Sequence, residues 1–177
     1  MPDKRPPKLP TVERLTKAAL HYLERYSSSE ENLRKVLERR VLKACRVHER
    51  DPQDFAEHIQ AVIEKCLSAG LVNDRIYAET KTASLRRRGG SRRKIEAQLS
   101  AKGVNRATIE AVLNGDQHSD AEAARVYARR RRLGPFRNSA DRTDRRDKDL
   151  AAMCRAGFSY KISKAIVDGT AEDDGTS

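Results

Sequence analysis

Glycines divide this chain into short segments whose apolar residues follow helical spacing. Within the segments, apolar residues recur at intervals of three and four, which places them on one face of an α-helix. Glycine adopts the left-handed conformation that ends a helix, and such breaks occur at Gly70, Gly89, Gly90, Gly103, Gly134 and Gly157. No stretch of alternating apolar and polar residues is long enough to predict a β-strand. The sequence therefore predicts an all-α protein.

The composition favours several small helical modules over one large core. Of the 177 residues, 37% are hydrophobic and 5% aromatic, with no Trp, so a single large core is hard to fill. We predict an elongated array of tandem three-helix, helix-turn-helix-like repeats. Its expected parts are a flexible arm at 1–10, modules at 11–72, 73–115 and 116–169, and a disordered acidic tail at 170–177.

A repeated motif links the second and third modules. Lys102-Gly103-Val104-Asn105 is followed by Val112-Leu113, and Ala156-Gly157-Phe158-Ser159 is followed by Ile166-Val167. In both copies the apolar pair comes nine and ten residues after the glycine. Each copy is typical of a helix, a glycine stop, one buried residue, a cap and a short helix.

The second module carries the densest positive charge in the chain. Its helices are predicted at 74–88, 91–101 and 105–113. Arg86, Arg87 and Arg88 fall in a last helical turn, where cations complement the helix dipole. Arg92, Arg93 and Lys94 fall in a first turn, where each unpaired cation costs about 0.3–1 kcal/mol. This cost indicates that an anion binds at the helix start, although a solvated face remains an alternative.

A second basic block ends a helix of the third module. It consists of Arg129, Arg130, Arg131 and Arg132. The helix dipole explains part of it, and a contact with a partner is the competing explanation. Of the two flanking aromatic residues, Tyr127 is predicted to pack in the module core and Phe136 to be available to a partner.

The overall charge favours an acidic partner. Net charge is +11, and the excess lies in residues 74–115 (+6) and 116–169 (+5). Nucleic acid, an anionic membrane or an acidic protein surface would complement it. No segment approaches 18 consecutive apolar residues, and the first ten residues lack the apolar core of a signal peptide. We therefore expect a cytoplasmic protein without a membrane partner.

Catalytic and metal sites are not expected. Cys45, Cys66 and Cys154 lie on apolar helical stripes, which is typical of buried free thiols. Cys45 and His48 are three apart on a helix, but the stripes already require both Cys45 and Cys66 inside, which disfavours zinc. No nucleophile has a nearby base, and no acid–base pair stands out. The sequence predicts neither an enzyme nor a cofactor.

Several segments, in order, carry a resemblance to a known family. They are residues 19–33 (ALHYLERYSSSEENL), 70–78 (GLVNDRIYA), Arg88-Gly89-Gly90, Ile95, Leu99, Lys102-Gly103-Val104 and 155–160 (RAGFSY). Together they are similar to the RecX family of recombinase regulators, over roughly residues 14–168. The helix of the first module that includes residues 43–50 is longer than is usual in this family.

The resemblance implies a protein that acts by binding. It implies a regulator that lies in the groove of the RecA recombinase filament on DNA and limits ATP hydrolysis and strand exchange. A role in recombination, DNA repair and the SOS response would follow. The resemblance and the charge together lead us to expect a monomer whose basic clusters, Arg86–Arg88, Arg92–Lys94 and Arg129–Arg132, face the filament or DNA phosphates.

Two other functions fit parts of the sequence. Residues 99–113, LSAKGVNRATIEAVL, have the length of a helix-turn-helix DNA-binding motif. However, the second helix offers Arg106, then Glu110 and apolar residues, a poor set for reading base edges. A general basic RNA- or DNA-binding protein is the other alternative.

Overall fold

The computed structural model describes residues 7–170, except for the side chain of Ser139. The predicted arm and tail therefore lie largely outside the described residues. The helices are α1 (Val12–Leu23), α2 (Glu30–His48), α3 (Ala56–Ser68), α4 (Asp74–Arg86), α5 (Arg92–Ala101), α6 (Arg106–Gly115), α7 (Asp120–Arg131), α8 (Arg142–Arg155) and α9 (Tyr160–Asp168). Short 3₁₀ helices span Pro52–Phe55, Gly134–Phe136 and Ser139–Asp141. No strand occurs between residues 7 and 170, and the all-α prediction is confirmed.

The chain packs as two compact units. Unit 1 contains the described residues up to Tyr77 together with Lys102–Asn105, and unit 2 contains Ala78–Ala101 with the described residues from Arg106 onward. The boundary between the units falls inside the predicted second module. The three-module division stays a prediction.

Unit 1 is built on the faces that α1, α2 and α3 turn towards one another. Its buried cluster includes Leu15, Leu37, Val41, Ile63 and Val72. The sequence also predicts a capping box of Ser28 with Glu31 and a first helix whose apolar face runs from Val12 to Tyr26. Both details are wrong. Ser29, not Ser28, caps α2 by accepting a hydrogen bond from the N–H of Asn32, and Tyr26 lies outside α1 with 57% of its surface exposed.

Unit 2 packs α7, α8 and α9 around buried small and apolar side chains. Its core includes Ala124, Ala128, Met153 and Phe158. Gly89 lets α4 approach α7 closely, because a Cβ at Gly89 would lie 2.5 Å from the backbone nitrogen of Tyr127. Ser119 followed three residues later by Glu122 predicts a capping box, and this capping box is present at the start of α7.

Each unit contains the same kind of junction at the start of a helix. In unit 1, Ser29 Oγ donates to the carbonyl of Lys102, and the Asp74 carboxylate accepts from the N–H of Glu30 at 2.8 Å. Gly103 has a left-handed backbone with φ of +78°, and a Cβ there would collide with the side chain of Glu31. The start of α2 is therefore held by residues from beyond α3.

Unit 2 repeats this junction at the start of α5. Ser91 Oγ donates to the carbonyl of Ala156 at 2.7 Å, and the Asp120 carboxylate accepts from the N–H of Arg92 at 2.8 Å. Gly157 is left-handed with φ of +95°, and a Cβ there would lie 2.5 Å from Ser91 Oγ. Both copies of the glycine motif predicted from the sequence therefore make the same kind of contact. In each, a left-handed glycine lies against the start of another helix.

Candidate functional site: a basic cleft at the start of α5

Arg86 is an internal residue and does not belong to a basic surface. Its side chain is 4% exposed, and its guanidinium lies 2.6 Å from a carboxylate oxygen of Asp116 and 2.6 Å from one of Asp120. Burial alone would raise the pKa of the Asp116 carboxyl, but hydrogen bonds from Arg86 and from His118 outweigh it, and the pKa lies below its ordinary value. Because a guanidinium satisfied in this way cannot reach a partner, we remove Arg86 from the predicted contact residues.

Arg92 is exposed but is also occupied within the chain. Its guanidinium donates to the carbonyl of Leu113 at 2.8 Å and to Asn114 Oδ1 at 2.7 Å, near the end of α6. Its backbone N–H donates to Asp120. The Asp120 carboxylate is therefore the anion that binds this N–H group. This corrects the expectation that the helix start is free to bind an external anion.

Arg93 and Lys94 lie in a cleft of about 790 Å³ within unit 2. Arg131 at the end of α7 and Arg155 at the end of α8 complete its charged lining, so three helices contribute four cations. In the part of the chain that the structure describes, no acidic residue lines the cleft. Four cations around one concave surface attract phosphates or carboxylates.

Small residues and one aromatic ring form the rest of the cleft. Ala97, Ala152 and Gly157 are among the residues that line it. The ring of Tyr127 also lines it, at 5.7 Å from the ring of Phe158, with the Arg131 guanidinium carbon 6.0 Å from the Tyr127 ring centroid. The half-buried ring positions Arg131 through a cation–π contact.

The matching junction of unit 1 shows that the fold does not require these cations. The second and third residues of α5 are Arg93 and Lys94, whereas those of α2 are Glu31 and Asn32. Both helix starts use the same serine cap, aspartate and left-handed glycine. The positive charge at the start of α5 is therefore an addition to a structural contact, as expected of a binding surface.

The other predicted cations do not line this cleft. Arg87 and Arg88 are exposed beyond the end of α4. The Arg129 guanidinium carbon lies 5.3 Å from the ring centroid of Phe136, and Arg130 and Arg132 are exposed. Of the ten predicted contact residues, the structure thus brings Arg93, Lys94 and Arg131 together.

Sequence reasoning missed two residues of the cleft. Arg155 immediately precedes the Ala156-Gly157 motif, and this position was the available signal. Tyr127 was predicted to pack in the core, and its ring both contacts Phe158 and lines the cleft.

The cysteines are spread over both units. Burial raises the pKa values of the Cys45 and Cys66 thiols, and Cys154 is half-buried. Within the described part of the chain, no three His, Cys, Asp or Glu residues are grouped closely enough to hold a metal ion. No helix among residues 7–170 combines the length and the apolar character needed to cross a membrane.

Comparison with known proteins places the basic cleft in a family context. A protein-family model described as "RecX, second three-helix domain" matches residues 73–113. The chain is 41% identical to the regulatory protein RecX of Myxococcus xanthus over 169 residues, which cover 93% of this chain and 89% of the relative. The chain belongs to the RecX family. Its RecX relatives from Agrobacterium fabrum and Thermobifida fusca are 35% and 31% identical, over 58% and 67% of this chain and 54% and 64% of their own lengths.

The match to the RecX domain covers only part of the cleft. Residues 73–113 span α4, α5 and nearly all of α6, and include Arg93 and Lys94. Arg131 and Arg155 lie beyond this segment, within unit 2. The cleft thus combines residues of the second three-helix domain with residues that follow it in the chain.

Proposed function

We propose that this RecX-family protein regulates a RecA recombinase by binding its filament on single-stranded DNA. Binding inhibits ATP hydrolysis and strand exchange, and so modulates recombination and DNA repair in the cytoplasm. The protein acts as a monomer and without catalysis of its own. The observation that carries this proposal is the 41% identity to a RecX regulatory protein over nearly the whole chain.

The cleft of Arg93, Lys94, Arg131 and Arg155 supplies the contact with the filament. A nucleoprotein filament presents phosphates and acidic side chains, and both complement a concave surface lined by four cations. A polymer offers the same contact at many subunits, so modest individual contacts add up to strong binding. Arg87, Arg88, Arg129, Arg130 and Arg132 extend the charged surface outside the cleft.

Reading of duplex DNA by a helix-turn-helix motif fits less well. The recognition helix would be α6, and its Arg106 forms an ion pair with Glu110 at 2.7 Å. A carboxylate beside that arginine repels phosphate and competes for the guanidinium. Filament binding therefore accounts for the basic surface better than sequence-specific DNA binding.

The proposal is tested by ATP hydrolysis of a RecA recombinase on single-stranded DNA. The protein is titrated in, and we expect inhibition at less than one molecule per recombinase subunit. The variant Arg93→Glu with Lys94→Glu should need at least about tenfold more protein for the same inhibition, because two contacts become repulsive. Absence of inhibition by the unmodified protein would refute the function.

A matched control separates the cleft from charge in general. Lys161→Glu with Lys164→Glu makes the same charge change at two exposed positions near the start of α9, outside the cleft. We expect this variant to inhibit like the unmodified protein. Equal loss in both variants would mean that net charge, not the cleft, determines filament binding.

A further inference from the structure

Unit 1 contains a groove between α1 and α2 to which no role has been assigned. Two adjoining clefts of about 420 and 200 Å³ share Ala18, His21 and Arg40 in their linings. Because they share these residues, we treat the two clefts as one groove, with Pro7 lining the first cleft and Tyr26 the second. The floor of the groove is apolar, with Leu15, Leu37 and Ala44 among its lining residues.

The rim of this groove is positive. Its cations are Lys8, Arg14, Lys17, Arg25 and Arg40, together with His21. Among residues 7–170, no carboxylate lines either part of the groove. Lys17 pairs with Glu13 outside the groove, and Arg14 donates to the carbonyl of Leu9.

Arg25 and Arg40 are two groove cations that form no ion pair within the described part of the protein. Both are exposed, and across residues 7–170 no carboxylate lies within ion-pair distance of either guanidinium. Two exposed cations without a carboxylate partner can attract an anionic ligand to the groove. The two arginines come from opposite walls, one following α1 and one on α2.

An exposed aromatic ring lies at one end of the groove. The centroids of Tyr22 and Tyr26 are 5.2 Å apart, and the Tyr22 hydroxyl accepts from the side-chain amide of Asn32 at 3.0 Å. Tyr22 is therefore held in place, and it supports Tyr26, whose ring faces solvent. Exposed aromatic rings beside cations are the usual means of binding unpaired bases.

We propose that the groove between α1 and α2 binds single-stranded nucleic acid. Arg25 and Arg40 contact phosphates, and a base stacks on Tyr26. A duplex would keep its bases paired and leave the ring unused, whereas an acidic protein surface would use the cations but would not need an exposed ring. The combination of cations, an apolar floor and an aromatic ring therefore favours a single strand.

The test measures binding of the full-length protein to a fluorescent oligothymidylate across a salt series, with no recombinase present. Arg25→Gln with Arg40→Gln removes two phosphate contacts. We expect at least about tenfold weaker binding and a salt dependence whose slope falls by about 1.4, because each lost contact to a single strand lowers it by about 0.7. Circular dichroism should show the same helix content as the unmodified protein.

The control is Arg39→Gln with Arg46→Gln. These arginines are exposed on the same helix α2 and line neither part of the groove. The control carries the same net charge as the groove variant, and we expect affinity within about twofold of the unmodified protein. Equal weakening by both variants would overturn the proposal, because it would show binding to diffuse positive charge.

Tyr26→Ala tests stacking separately from charge. We expect at least about a fivefold loss of affinity for the oligothymidylate with an unchanged salt slope, because stacking involves no counterion release. An unchanged affinity would overturn the role of the ring. If the groove variant loses binding to polyglutamate but retains binding to oligothymidylate, the groove binds acidic protein and the proposal is wrong.

This test is independent of the proposed function. It uses a free strand and residues of unit 1, whereas filament inhibition uses recombinase and the cleft of unit 2. A regulator that inhibits the recombinase but whose groove variant binds oligothymidylate normally would refute only the groove.

Discussion

At the scale of single residues, Arg86 stabilises unit 2 through its ion pairs with Asp116 and Asp120. Its guanidinium neutralises two carboxylates, and the Asp116 side chain is only 7% exposed. We expect Arg86→Ala to lower the free energy of unfolding by about 3–5 kcal/mol, because it leaves buried carboxylates without their partner. Arg87→Ala, at the exposed neighbouring position, should change it by no more than about 0.5 kcal/mol. Urea unfolding followed by circular dichroism measures both.

The cost of Arg86→Ala should depend on pH in a defined direction. The folded-state pKa of Asp116 is depressed, so this carboxylate contributes stability above its unfolded pKa of about 3.9. That contribution is lost as the pH falls through the folded pKa. The difference between the unmodified protein and Arg86→Ala should therefore be full at pH 7 and shrink below about pH 4. A difference that stays constant down to pH 3 would show that the ion pair is not its cause.

The same residues show what could be predicted from sequence at this scale. Arg86 and Arg87 are neighbours in a single arginine run, and nothing local distinguishes them. Asp116 and Asp120, which bury Arg86, lie 30 and 34 positions further along the chain. The position of Arg155 in the cleft could not be predicted for the same reason. The other cations that line the cleft, such as Arg93 and Lys94, come from other helices. Charge clusters are visible in a sequence, but the pairing that neutralises some of their members depends on tertiary structure.

At the scale of helices, glycine controls how closely two helix ends approach. Gly70, Gly103 and Gly157 all have left-handed backbones, but only Gly103 and Gly157 have a neighbour where a Cβ would be placed. Gly70→Ala should cost about 1–2 kcal/mol from the backbone alone. Gly103→Ala and Gly157→Ala should cost about 1–3 kcal/mol more, because the added methyl group displaces Glu31 or Ser91. Equal costs at all three positions in urea unfolding would contradict this explanation of the repeat.

Helices were predictable because their signals are local. Apolar spacing, Ser119 with Glu122, and the two glycine motifs all lie within a few residues of the helix ends that they define. The sequence predicts the cap of α2 at Ser28, one residue before the actual cap at Ser29, because Ser27, Ser28 and Ser29 offer the same hydroxyl. Tyr26 followed the apolar spacing of α1, but α1 ends at Leu23 and leaves the ring exposed. Spacing alone cannot show where a helix ends.

At the scale of the whole molecule, a truncated chain distinguishes the predicted division into three modules from the observed division into two units. If the predicted modules fold independently, a fragment ending at residue 115 retains two intact modules. In unit 2, however, the start of α5 depends on Asp120 and on the carbonyl of Ala156, and Arg86 depends on Asp116 and Asp120. All three partners lie beyond residue 115, so the fragment exposes groups that the full chain satisfies.

We therefore expect the fragment 1–115 to lose order selectively. Amide hydrogens of α5 and α6 should exchange at least about tenfold faster than in the full chain, because local opening costs less once those contacts are gone. Amides of α2 and α3 provide the control, since they pack in the buried cluster of unit 1, which the fragment retains. Full protection of α5 and α6 in the fragment would show that the second module is stable by itself. Loss of protection confined to α5 and α6 would show that residues beyond 115 complete the fold on which Arg93 and Lys94 depend.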